Sequence, residues 1–466
     1  VSNAQLRDSL GADNTRVPAG GLLWSPRFAI NYDVAGEGRT FLRTGIGLFT
    51  GRPAYTWAAM AYRDDGLHQL FLSCDGAQVP PFDPINQPAT CVNGATPPAR
   101  LSFFDADARF PQSVKTFVGV DQRLPGDIVG TVDVLLTRAR QQLYLSDANL
   151  LSPVGVSKGE ADRPLYGTIS AVGVATTMAR RASSLGQVVR ASNRDGDHST
   201  SISLQLRKQF GDRAAISGLY AHTRAVDRFT IVNLLAKPNL EMTPLDGTME
   251  DRRLGTSTFE IPHRVDVDAE FRLPYRIQAA IRYSGVSGTP FTYTVRGDAN
   301  ADGIGVATAN DIVYVPRNRA DMSIDGNGLA AGVGTLAQQD SVYGKIDQYI
   351  ERESCLRRQR GRLLARNSCR NPWFGTVNLR AAKDVPTTGG QSLQLTADVY
   401  NVLNMVNRRW GQYRVTTLDP GVPLLSLSGY DAVNGRGIYR DQFPGFRQLQ
   451  DLASRWQMEL GARYIF

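Results

Sequence analysis

The chain has 466 residues, 42% of them hydrophobic, and a mean hydropathy of −0.26. No apolar run approaches the roughly 18 residues that a membrane-crossing helix needs, so a helical span is excluded. The net charge of +8 and pI near 9.3 would suit a nucleic-acid binder. Yet no recognition helix or basic stripe interleaved with aromatics appears, so nucleic acid is not expected as a partner. The basic excess is read instead as facing an anionic lipid surface or solute.

In chain order, the first sixteen residues (VSNAQLRDSLGADNTR) are polar and carry no hydrophobic leader. Either processing has removed a signal or, the reading adopted here, the natural chain begins far upstream. Alternation then predicts strands at 22–33, 40–49, 114–124, 128–143, 165–172, 186–193, 201–210, 214–222, 265–273, 277–284, 376–384, 392–400 and 456–466, about thirteen in all. The clearest is 265–273, with Val265, Val267, Ala269, Phe271 and Leu273 on one face and Asp266, Asp268, Glu270 and Arg272 on the other. A soluble sandwich would not bury that second face, whereas a water-filled lumen solvates it. The fold class expected is therefore all-β, an antiparallel transmembrane β-barrel. The 45 glycines and 17 tyrosines fit tight turns and interfacial aromatic girdles.

Connections fall into two sizes. Turns at 124–127, 211–213, 274–276 and 387–390 are short, while 50–113, 226–259, 296–374 and 404–454 are long. Outer-membrane barrels place short turns in the periplasm and long loops outside. A periplasmic C-terminus puts all four long segments outside, which agrees. Thirteen strands do not make a closed single-chain barrel, since bacterial barrels have even strand numbers and an open edge in lipid is costly, so either the count is off by one or this is the C-terminal part of a larger barrel.

The predicted outer loops hold the candidate sites. Cys74 and Cys91 share one loop and Cys355 and Cys369 another, so two local disulfides are expected, each contributing about 3 kcal/mol. The stretch DANADGI places Asp298, Asn300 and Asp302 at the first, third and fifth positions of a calcium loop, with Ile304 offering its carbonyl at the seventh. The acid expected at position twelve is replaced by Ala309, with Asp311 two residues on. The alternative is a solvated Asp/Asn/Gly turn. Arg357, Arg358, Arg360, Arg362 and Arg366, followed by Arg370, form a cluster that either binds an anion or is salt-bridged locally by Asp347, Glu351 and Glu353. Nothing is catalytic: His68, His198, His222 and His263 lack metalloprotease spacing, and no nucleophile elbow or phosphate loop appears. An enzyme is not expected, and calcium is the sole cofactor considered.

The chain ends on WQMELGARYIF, in which Trp456, Met458, Leu460, Ala462, Tyr464 and Phe466 alternate with mostly polar or small residues. This ending resembles the signal read by the barrel-assembly machinery. Residues 395–413 (LTADVYNVLNMVNRRWGQY) resemble the penultimate strand and following loop of TonB-dependent receptors. Residues 24–33 (WSPRFAINYD), 42–52 (LRTGIGLFTGR) and 350–373 (IERESCLRRQRGRLLARNSCRNPW) resemble the Oar-like branch of that family. The resemblance implies a 22-stranded barrel in the outer membrane of a Gram-negative (diderm) bacterium. It also implies an N-terminal plug, a segment that binds the TonB complex, and import of a solute whose identity is unknown. Residues 1–466 would then be the C-terminal part of the barrel, with plug and TonB-binding segment absent from this chain. Outer-membrane lipid and lipopolysaccharide are the expected surroundings. The competing reading is a passive or non-transporting surface barrel: a porin, an adhesin or an assembly scaffold.

Overall fold

The structure, a computed structural model, describes residues 3–466 apart from 18–21, 54, 68–73, 75, 95–98, 176–179, 305–308, 328–333 and 434. His68 lies outside the described residues. Eleven strands follow one another in a single antiparallel path. They are β1 (Arg27–Asp33), β2 (Thr40–Thr50), β3 (Gln112–Leu124), β4 (Ile128–Asp147), β5 (His198–Phe210), β6 (Ala214–Asp227), β7 (His263–Leu273), β8 (Ile277–Val286), β9 (Phe374–Pro386), β10 (Ser392–Tyr400) and β11 (Gln457–Ile465). Each pairs with the wall strands before and after it, five of the ten connections being short turns. The turn from β3 to β4 shows why: Gly126 and Asp127 take φ of 79° and 58°, the left-handed conformation of tight hairpins.

Register turns the period-two pattern into two chemically distinct faces. Tyr32, Leu42, Val120, Val132, Leu204, Tyr220 and Val265 stand opposite one another in one apolar row across β1 to β7. Ala269, Ile281, Leu379, Val399 and Met458 continue that face across β7 to β11. Many of these side chains are exposed, as a lipid-facing surface must be. Toward the outer end, the Tyr283 and Trp373 side chains cover two cross-strand partners that have none, Gly285 and Gly375. Aromatics over glycine at this depth form part of an interfacial girdle.

Ends of the wall differ as expected. Short connections at 34–39, 125–127, 211–213, 274–276 and 387–391 lie at one end. Segments 51–111, 148–197, 228–262, 287–373 and 401–456 lie at the other. That makes five outer segments, not four, and it corrects two predicted strands. Of residues 165–172, Leu165 ends the short strand Arg163–Leu165, paired with Gly155–Ser157, and Ile169 makes an isolated bridge to Ala175. Leu165 and Tyr166 are buried in the outer part, so their apolar character serves a packed core and not a lipid face. Residues 186–193 do form a strand, Leu185–Arg194, but it pairs with the outward extension of β4 and, in parallel, with Ala99–Phe104. Val188 and Val189 are both buried although they point to opposite faces, which lipid exposure would not allow.

The outer segments pack into a cap with its own cores. One core gathers Phe291, Tyr293 and Val295 with Ile346 and Ile350 of the helix Leu336–Arg352 and with Leu424 and Leu425. That helix begins with a capping box between Thr335 and Gln338. A second core joins Trp57, Tyr144, Phe229 and Leu240. Among the described residues no helix is long and apolar enough to cross a membrane, which says nothing of strands.

Candidate functional site

The inner face of the wall carries the polar members of each alternating strand. Arg43 Nη2 donates to Asp121 Oδ1 and to Asp133 Oδ1, both at 3.0 Å, joining β2, β3 and β4. Thr131 completes the group by donating to Asp121 at 2.7 Å. On β7, Asp266 accepts from Arg264 at 2.6 Å and from Ser284 of β8 at 2.7 Å. Arg282 reaches Asp268 at 3.4 Å, and Arg380 reaches Asp398 at 3.5 Å. Charges of both signs therefore line the lumen side, paired across strands. Such a face solvates a polar solute and does not select one sign of charge.

Above the wall, buried polar contacts fix the cap. Glu160 accepts from Arg163 at 2.8 Å, from the Tyr439 hydroxyl at 2.7 Å and from Gly437 N at 2.7 Å. Burial and the Glu160 carboxylate push the Tyr439 hydroxyl well above its usual pKa. The buried Arg252 guanidinium stacks 4.9 Å over Phe229, and its backbone N–H donates to the Tyr144 hydroxyl at 3.2 Å. Nothing in the sequence pattern singled out these groups, because their partners come from segments far apart in the chain.

Both predicted disulfides are present, Cys74–Cys91 and Cys355–Cys369, with Cα separations of 5.8 and 5.2 Å. The arginine cluster divides. Arg366 is buried against Asp227 at 2.7 Å, and Arg360 binds Asp347 and Glu351 at 2.6 and 2.7 Å. Arg370 binds Glu260 at 2.6 Å. Arg357, Arg358 and Arg362 are exposed. The stapled segment thus ties the cap down onto the outer ends of β6 and β7.

The DANADGI loop gathers its acids around its own backbone. Asp298 accepts from Asp302 N and Gly303 N at 3.0 and 2.7 Å, and Asp302 accepts from Ile304 N at 2.8 Å. Asn300 donates to Asp302, and Asp311 accepts from Ala299 N at 2.6 Å. Burial raises Asp298 to about 6. Burial and the neighbouring Asp298 charge raise Asp302 to about 7. Asp311 rises through burial and the Asp302 charge. Among the described residues no three His, Cys, Asp or Glu side chains converge as a metal site.

At the C-terminus, Met458, Leu460 and Tyr464 share the lipid-facing side of β11, Trp456 and Phe466 flank that strand, and all five are exposed. Residues 3–415 match the model of a family described as "Outer membrane beta barrel domain". The chain belongs to the outer-membrane β-barrel domain family. Its place is the outer membrane of a Gram-negative bacterium. Among solved structures, this barrel domain is similar to the outer membrane transporter YddB from Escherichia coli, at 10% identity and a TM-score of 0.45, over 95% of this chain and 40% of that one. It is similar to the ferric citrate transporter FecA in its unliganded form, at 10% identity and 0.38, over 95% and 38%. It is also similar to a variant of the ferric enterobactin receptor PfeA from Pseudomonas aeruginosa, at 11% identity and 0.39, over 95% and 40%. The chain spans about two fifths of the length of these structures. A comparison of the sequence with curated proteins gives no match.

Proposed function

We propose that this barrel domain is the C-terminal wall and outer cap of a TonB-dependent receptor of the Oar-like kind, importing a solute across the outer membrane. The observation that carries the reading is the wall. Its eleven strands have a charged inner face, and among the described residues neither the outer edge of β1 nor that of β11 has a strand partner. An open edge in lipid costs several kcal/mol per unpaired group, which supports a ring completed by further strands. Closed by upstream strands, the barrel would enclose a lumen wide enough for a plug and a passing solute. The exposed apolar residues Met458, Leu460 and Tyr464 on the lipid-facing side of β11 support delivery by the barrel-assembly machinery. Uptake of candidate solutes by cells with and without TonB tests the proposal. Loss of uptake without TonB is expected.

A second reading, a non-transporting surface scaffold, is favoured by the cap, whose separate cores and two disulfides suit a rigid platform. TonB-independent behaviour of the full-length protein would select it. Calcium at 298–311 is part of the proposal. The support is the buried carboxylates of Asp302 and Asp311 beside the half-buried Asp298, whose mutual repulsion a divalent cation would relieve. Metal analysis of the purified protein should find calcium that Asp302→Asn removes; no calcium in either protein leaves an ordinary Asx-turn loop.

A further inference from the structure

The lipid-facing side of the wall should become purely apolar with depth and polar only at its rims. At the outer rim over β4 to β7 it becomes basic. Register sets this out row by row. Val118, Val134 and Ile202 stand opposite one another, and the next partners along that row are His222 and His263. One row outward, Leu136 and Thr200 are followed by Arg224. One row further, Val114 faces Arg138, which faces His198. These five basic residues therefore share a side with the apolar rows and not with the lumen charges, and Arg140 lines the same groove as Arg138.

All of them are exposed. Arg138 and Arg140 line a groove with His198, Leu136 and Thr200, and Asp195 is the one acid among its lining residues. No ion pair engages the Arg138, Arg140 or Arg224 guanidinium among the described residues. His222 and His263 lie with ring centroids 5.0 Å apart, and the Tyr220 hydroxyl meets His263 Nδ1 at 2.8 Å. Unpaired cations facing hydrocarbon are costly, but at the headgroup level they meet phosphate. Directly below, Val118, Leu136 and Ile202 are each 44–45% exposed, a surface matched to acyl chains.

We propose that this rim is a specific binding site for the phosphate groups of an outer-leaflet lipid, held by Arg138, Arg140 and Arg224 through charge-assisted hydrogen bonds, with the acyl chains lying on the rows below. The site follows from membrane placement and register, and it stands whether or not the barrel transports anything.

The test uses the full-length protein in detergent, with bis-phosphorylated lipid A as probe and native mass spectrometry as readout. Arg138→Gln with Arg224→Gln should weaken binding about tenfold or more, each lost contact being a charged one. Arg282→Gln, on the lumen side, should leave it unchanged. Heat-modifiable gel migration establishes that each variant is folded. Should the rim variant fail to fold, wild-type protein still decides, since it should bind lipid A at least tenfold tighter than the same lipid lacking phosphates. Inorganic phosphate alone should not compete at millimolar concentration, because it lacks the chains. Equal binding of phosphorylated and dephosphorylated lipid, equal losses in the rim and lumen variants, or competition by free phosphate would each overturn the proposal.

Discussion

Arg43 and Asp133 sit on strands that never pair, with β3 between them, yet Arg43 Nη2 lies 3.0 Å from Asp133 Oδ1. Gly119 makes this possible. It is the residue directly between them in the same row, and a Cβ there would come within 2.4 Å of Asp133 Oδ1 and 3.2 Å of Arg43 Nη2. The ion pair spans three strands because the middle one carries no side chain.

Gly119→Val should therefore break the bridge and destabilise the wall by about 1–3 kcal/mol through overpacking. Arg43→Gln, which removes the bridge without adding volume, should cost less, since the pair is partly solvated. Heat-modifiable migration of the folded barrel across a temperature series checks both. Gly119→Val migrating like wild type at every temperature would refute the account.

Glu160 supplies the sharpest stability test. Glu160→Ala leaves Arg163 buried without its counter-ion and strips an acceptor from Tyr439 and Gly437. A loss of about 3–5 kcal/mol in cap stability is expected. Urea unfolding followed by proteolysis of the outer segments measures it, and the wall should resist at concentrations that open the cap.

Replacing both Cys355 and Cys369 by Ser should cost about 3 kcal/mol, as for a closed loop of this size. Because Arg366 and Arg370 in or beside that loop bind Asp227 and Glu260, the change should also expose the outer ends of β6 and β7. The same replacement at Cys74 and Cys91 should leave those ends protected. Hydrogen exchange at 224–227 and 260–264 separates the two cases.

Asp197 predicts a pH dependence of known sign. Burial, with the Asp227 charge adding to it, raises this carboxyl from 3.8 to about 6, against the opposing hydrogen bond from Arg228 N. Between those values the folded protein holds a proton that the unfolded chain has lost, so stability falls as pH rises through the window and levels off above it. Asp197→Asn should flatten the slope by about one proton. Denaturation at pH 4.5 and pH 7 gives the comparison; an unchanged slope in the variant would show that the group titrates normally.

Much of the wall was legible in the sequence because alternation encodes it directly. Val265–Leu273 reads the same way in register as it does on paper, and so does the last strand. The cap was legible only as long connections. Its cores form between segments distant in sequence, and strands such as Leu185–Arg194, buried on both faces, carry no period that separates them from a lipid-facing strand. The cysteine pairs could be read because each is local. The fate of the arginine cluster could not, since Asp227 and Glu260 lie over 100 residues from their partners Arg366 and Arg370. The basic rim lay in plain view as residues, but only register shows that Arg138, Arg224 and His222 share one side.

The contact between Glu160 and Gly437 joins residues 277 apart in sequence, whereas every pairing along the wall joins consecutive strands of the path. Assembly therefore has an order. Hairpins of the wall can zip one after another as the chain arrives, but the cap cannot close until segments 148–197 and 401–456 have both reached the cell surface. For some interval the newly inserted protein must show its neighbours an unlatched exterior, with Tyr439 and Arg163 still wet, and the latch at Glu160 is among the last things to shut.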